Sequence, residues 1–140
     1  MRGPLLSLAT LDLRRDAGSK LEERLARYLD WITAAFPGSA AFVADESGLA
    51  LVTSDDDASL VAITAPCMEV FDEAWSVRGG PRQGRLALAI DGLGLLHVAE
   101  VSTPWGRFAI AVVARTFIAD ATMRIMQQGL DEALNEEAAP

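Results

Sequence analysis

From Phe108 to Ala114 the chain reads Phe-Ala-Ile-Ala-Val-Val-Ala, an unbroken apolar run. A strand of this kind is apolar on both faces, so it belongs at the centre of a sheet with helices above and below. Two further strands precede it, Arg85–Ile90 and Leu95–Ser102. They are separated by Asp91-Gly92-Leu93-Gly94 and Thr103-Pro104-Trp105-Gly106. Links this short between successive strands require an antiparallel meander.

The rest of the chain supplies two more strands and the covering layers. Ala40–Ala44 and Leu49–Thr53 flank Asp45-Glu46-Ser47-Gly48, whose Asp and Gly are turn formers, and this predicts a β-hairpin. Ahead of it, Ser19 and Glu22 have capping-box spacing. Leu21, Leu25, Tyr28, Leu29, Ile32 and Phe36 then recur at helical spacing until Pro37-Gly38 ends the helix. At the other end Thr116 is placed to cap a helix carrying Ala119, Met123, Met126, Leu130 and Leu134 on one face. The predicted order is α-β-β-α-β-β-β-α, an α/β (α+β) three-layer domain with one five-stranded antiparallel sheet. The domain spans residues 19–134, with a tail or short edge strand at 1–18 and a frayed acidic tail at 135–140.

The central helix, predicted over Ala58–Val77, is the unusual element. Three aspartates, Asp55 to Asp57, precede it, and Arg78-Gly79-Gly80-Pro81 follows it. At ~100° per residue its apolar arc is roughly 200° wide, about twice what a surface helix needs. Leu60, Cys67, Phe71 and Ala74 form its midline, flanked by Ile63, Val70 and Val77 on one side and by Val61, Met68 and Trp75 on the other. An arc this wide implies two apolar neighbours, the chain's own sheet and a second subunit. Pro66 should bend the helix or restart it. Glu69, Asp72, Glu73 and Ser76 form the remaining polar face.

Composition limits the partners. A formal net charge of −8 disfavours nucleic acid and anionic membrane surfaces. Cys67 is the single cysteine, so no intrachain disulfide can form, and a reducing cytoplasm is expected. The N-terminal leucines are interrupted by Asp12, Arg14 and Arg15, so neither a signal peptide nor membrane insertion is expected.

Little here points to catalysis. His97, the single histidine, falls on an apolar strand face and reads as a structural residue with a backbone partner. Cys67 lies in the apolar arc without a basic neighbour to activate it. Asp55-Asp56-Asp57 suits helix capping and the helix dipole better than a metal. Asp45/Glu46 suits a turn. Neither Gly92-x-Gly94 nor Gly79-Gly80 has the lysine or the strand-to-helix context of a phosphate loop. No enzyme activity, cofactor or metal is expected.

The hairpin from Ala41 to Ser54, an apolar strand, an Asp-x-x-Gly turn and a small-and-leucine strand ending in Ser, resembles the Roadblock (dynein light chain) family. So do the element order and the long helix that follows. The likeness covers about Ser19 to Leu134. It implies a sheet order of 2-1-5-4-3, with the central helix on one face and the first and last helices on the other. It also implies a homodimer formed through the third strand and the central helices, here Val61, Met68, Phe71, Trp75, Leu86, Leu88 and Ile90. Bacterial members commonly bind a small Ras-like GTPase on the central-helix platform, which places Glu69, Asp72, Glu73 and Ser76 at the partner. The competing readings are a chaperone like those of type III secretion, holding an effector, and a ligand-sensing domain of profilin-like or PAS-like shape.

Overall fold

A computed structural model of the 140-residue chain describes residues 21–54, 62, 64–78, 84–92, 94–104 and 106–135. The elements in chain order are α1 (Leu21–Ala35), β1 (Ala40–Asp45), β2 (Ala50–Thr53), α2 (Thr64–Arg78), β3 (Arg85–Ile90), β4 (Gly94–Thr103), β5 (Gly106–Ala114) and α3 (Asp120–Asn135). All five strands join one antiparallel sheet in the order β2-β1-β5-β4-β3. Fold class and strand order are those expected.

Alternation along the strands divides the core into two layers. On one face Ala41, Val43, Ala99, Val101, Ile110 and Val112 pack with Leu25, Leu29 and Ile32 of α1 and Met123, Met126 and Leu130 of α3. On the other face Phe42, Ala44, Leu96, Val98, Ala109, Ala111 and Val113 pack with Cys67, Met68 and Phe71 of α2. Every residue of β5 from Ala109 to Ala114 is buried, as a strand covered on both sides requires. Polar groups fasten α1 to α3. The buried Arg24 Nε donates to the Ala133 carbonyl at 3.1 Å, and the Tyr28 hydroxyl donates to the Met126 carbonyl.

The hairpin turn is held by its own side chains. Asp45 Oδ1 accepts the amides of Ser47 (2.9 Å) and Leu49 (3.1 Å) and the Ser47 hydroxyl (2.6 Å). Partial desolvation pushes the Asp45 carboxyl up. Its hydrogen bonds with the Ser47 side chain and the backbone of Leu49, Ser47 and Gly48 outweigh that effect and hold it below its ordinary value. At the far end of the hairpin Ser54 Oγ accepts the Ala41 amide at 2.9 Å.

Helix α2 is described over Thr64–Arg78, with Pro66 in the first turn of that segment, and its expected start at Ala58 falls outside the described residues. The structure differs from expectation at one helix start, that of α3. Helix α3 begins at Asp120 and not beside Thr116. The intervening Ile118 is buried, and its amide donates to His97 Nε2 at 3.0 Å, which keeps that stretch out of the helix. The Met123 amide instead reaches the Ala119 carbonyl. Asn135, expected in the frayed tail, ends the helix with Nδ2 donating to the Asp131 carbonyl at 2.8 Å. The expectations for residues 1–18, Ser19, Asp55 to Asp57, Leu60, Val61, Ile63, Gly79-Gly80 and residues 136–140 fall outside the described residues.

Gly48 joins the hairpin to α2. It has φ +87°, and an added Cβ would lie 2.6 Å from Ala65 Cβ and 2.8 Å from its Cα. Gly48→Ala therefore meets both an unfavourable backbone conformation and helix backbone that cannot yield. It should lose about 1–3 kcal/mol, seen as a lower urea midpoint. The same change at Gly38, whose φ is +84° but whose surroundings are open, should cost less.

Candidate interaction surface

Among the described residues helix α2 alone covers its sheet face, and its wide apolar arc is divided between two surroundings. Cys67, Met68 and Phe71 are buried against the sheet, and Trp75 is partly buried beside them. Val70 and Val77 point away and are 55% and 85% exposed. Ala74, placed on the arc's midline from sequence, is exposed too. The outer face thus carries an apolar stripe, Val70, Ala74 and Val77, next to a polar one, Glu69, Glu73 and Ser76, all exposed. Ser76 Oγ turns back to donate to the Glu73 carbonyl at 2.8 Å.

The two sheet edges are unequal. Strand β2 has four residues, and its pairing with β1 shifts register between Val43 and Ala44. A short, bulged strand is a poor template for another chain. Strand β3 pairs with β4 without interruption from Arg85↔Ala99 to Ile90↔Gly94. Among the described residues β4 is its sole partner, so β3 presents a regular, unpaired edge. Cross-strand partners share a face, and the pairs Leu86↔Val98 and Leu88↔Leu96 put Leu86, Leu88 and Ile90 on the α2 side. Leu86 and Ile90 pack against the core, whereas Leu88 is 44% exposed.

Of the residues expected in a dimer seam, Met68 and Phe71 need correction. Both are enclosed by the chain's own sheet, where Ala44, Ala109 and Ala111 leave room for them among Phe42, Leu96 and Val98. Trp75 is turned inward by its indole N–H, which donates to Glu100 Oε1. Val61 lies outside the described residues. Leu86, Leu88, Ile90, Val70 and Val77 sit at or beside the β3 edge or on the outer helix face.

Asp72, expected at the partner, is already engaged within the chain. Its Oδ1 lies 2.6 Å from Arg107 Nη1. The same guanidinium approaches Glu100 Oε2 and, on the hairpin turn, Glu46 Oε2, each at 3.6 Å. Glu100 is fully buried, and its Oε1 also accepts the Gly84 amide at 3.0 Å. Sequence reading missed this cluster, since Glu100 and Arg107 lie in apolar strands and meet Asp72 only through the fold. The one signal available was a carboxylate at Glu100 on the face that otherwise holds Leu96 and Val98.

His97 is buried on the opposite face, where its Nε2 accepts the Ile118 amide and its ring meets that of Phe117 at 5.6 Å. An accepting Nε2 fixes the neutral tautomer with the proton on Nδ1. Desolvation lowers its pKa, partly offset by the nearby backbone of Val112 and Leu95. Burial also pushes the Cys67 thiol up, which leaves it a poor nucleophile. Among the described residues no group of three or more His, Cys, Asp or Glu could hold a metal ion. No helix among them is long and apolar enough to cross a membrane.

Protonating His97 must place the proton on Nε2, opposite the Ile118 N–H, so the unfolded chain takes the proton first. This contribution to stability is full above pH ~6.5 and falls as the pH drops from there toward the lowered native value. The urea midpoint should fall between pH 7.5 and 5.5, and His97→Gln should flatten that dependence. No protein-family model matches this chain, and a search of the curated proteins finds no match.

Proposed function

We propose that this chain is a non-catalytic dimeric regulator or scaffold that binds a small Ras-like GTPase and modulates its nucleotide cycle. The observation that carries this reading is the outer face of α2 beside the β3 edge. That surface combines a solvent-facing apolar stripe, a regular unpaired strand and a row of carboxylates. The resemblance of the Ala41–Ser54 hairpin to the Roadblock family supplies the class of partner. The chain pairs with its own copy through β3 and the apolar stripe, and meets the GTPase with Glu69 and Glu73. A carboxylate opposes the charge that develops on a transferring phosphoryl group, so these residues do not act as arginine fingers. They hold basic residues that flank a switch loop.

Two experiments test the two halves of this reading. Val77→Asp puts a charge into the proposed seam without disturbing the core. It should weaken self-association at least ~10-fold in light scattering while the unfolding midpoint of the monomer stays put. A parent chain that remains monomeric at tens of micromolar would overturn the dimer. For the partner, Glu69→Lys combined with Glu73→Lys should reduce binding of the GTPase captured from native cytosol and weaken its salt dependence, leaving the dimer intact. Undiminished binding across a salt series would remove this face from the interface.

A further inference from the structure

The two parts of the proposed surface, helix α2 and strand β3, meet inside the protein at Glu100. Its Oε1 accepts the Trp75 indole N–H from α2 and the amide of Gly84, the residue before β3. Its own amide donates to the Gly84 carbonyl at 2.9 Å, so Gly84 is bracketed by the backbone and the side chain of one residue. The space is tight. A Cβ on Gly84 would lie 2.6 Å from the Phe71 ring and 3.1 Å from Glu100 Oε1. The start of β3 and the inner face of α2 are thus in direct contact around one carboxylate.

A line of charges leads outward from that point. Glu100 Oε2 faces Arg107 Nη1 at 3.6 Å, and the same nitrogen reaches Asp72 Oδ1 at 2.6 Å. Asp72 is half exposed, whereas Arg107 is largely covered. One cation therefore stands between a surface carboxylate and a buried one. A guanidinium drawn toward one of the two compensates the other less. When a basic side chain from outside neutralises Asp72, Arg107 is released toward Glu100, and the two N–H donors that share Oε1 are adjusted with it.

We infer that Asp72, Arg107 and Glu100 form a relay through which a cationic group docking on α2 is felt at the start of the β3 edge strand. The biological use of the relay rests on the proposed role of α2 and β3, but its physical operation belongs to the free chain. Such a relay makes partner binding and edge pairing reciprocal, each altering the other by the same factor.

The test is therefore made on the free chain. Asp72→Asn removes the charge as a docked cation would neutralise it, and leaves the Trp75 and Gly84 hydrogen bonds to Glu100 in place. It should shift the Trp75 indole and Gly84 amide resonances and change Gly84 hydrogen exchange by about threefold or more. In an Arg107→Gln background, or in Glu100→Gln should that variant be the better folded, Asp72→Asn should add nothing further. Glu69→Gln, on the same helix but outside this cluster, should leave both resonances in place. Unmoved Gly84 and Trp75 resonances in Asp72→Asn would overturn the relay. So would an undiminished effect in the Arg107→Gln background, or an equal effect from Glu69→Gln. Self-association of the parent is measured separately, so failure of the dimer and failure of the relay are told apart.

Discussion

Width governs this structure. Five strands at about 4.8 Å spacing span about 19 Å from first to last, whereas a helix with its side chains is about 10–12 Å across. Two helices, α1 and α3, suffice for one face of the sheet. Among the described residues the other face has α2 alone, and a single helix does not reach from β2 to β3. Core packing on that side is concentrated under Phe42, Leu96, Val98 and the alanines Ala44, Ala109 and Ala111. Leu88, on the same face at the β3 edge, is left partly in solvent. Among the described residues, the apolar surface beside the β3 edge is what a single covering helix leaves open.

Polar groups add to the hold on α2. Each large side chain that α2 buries contributes roughly 1.5–3 kcal/mol, and among the described residues it buries few. The helix is further held by charge and hydrogen bonding: Asp72 to Arg107, and the Trp75 indole to Glu100. Burying Glu100 would be costly without partners. Two N–H donors and the nearby guanidinium provide them. A buried ionic group is weak evidence of added stability, but it fixes geometry. Here it fixes the helix against the strand whose edge it borders.

What the sequence made legible was periodicity. The apolar runs of β1 and β5 and the i, i+4 leucines of α1 and α3 are local patterns that give the elements and their order along the chain, whereas the strand order within the sheet came from the family resemblance. The hairpin was legible because Asp45 and Gly48 act within the turn itself. What stayed hidden depends on contacts across the fold. Thr116 looked like a cap until Ile118 was found bonded to His97, a residue two strands away in the sequence reading. Met68 and Phe71 could not be assigned to the sheet or to a second subunit from helical angle alone, because the arc was wide enough for both. Asp72 looked like one of four equivalent polar residues, and nothing local marks it as the partner of Arg107.

The outer face of α2 then divides by angle. Counting ~100° per residue, Val77, Val70 and Ala74 lie within about 60° of one another, and Glu73, Glu69 and Ser76 occupy the neighbouring 60° on the far side of Pro66. Apolar and acidic groups thus form two parallel stripes rather than one mixed face. A second copy packed on the apolar stripe would leave Glu69 and Ser76 beyond the seam and Glu73 at its margin, which limits the cost of burying unpaired charge. On the proposed reading, self-association and partner binding use adjacent halves of one helix surface without competing. A twofold axis through the apolar half repeats the acidic stripe on the second copy. Such a dimer would offer a broader acidic platform than either chain alone, supplied by the outer face of α2.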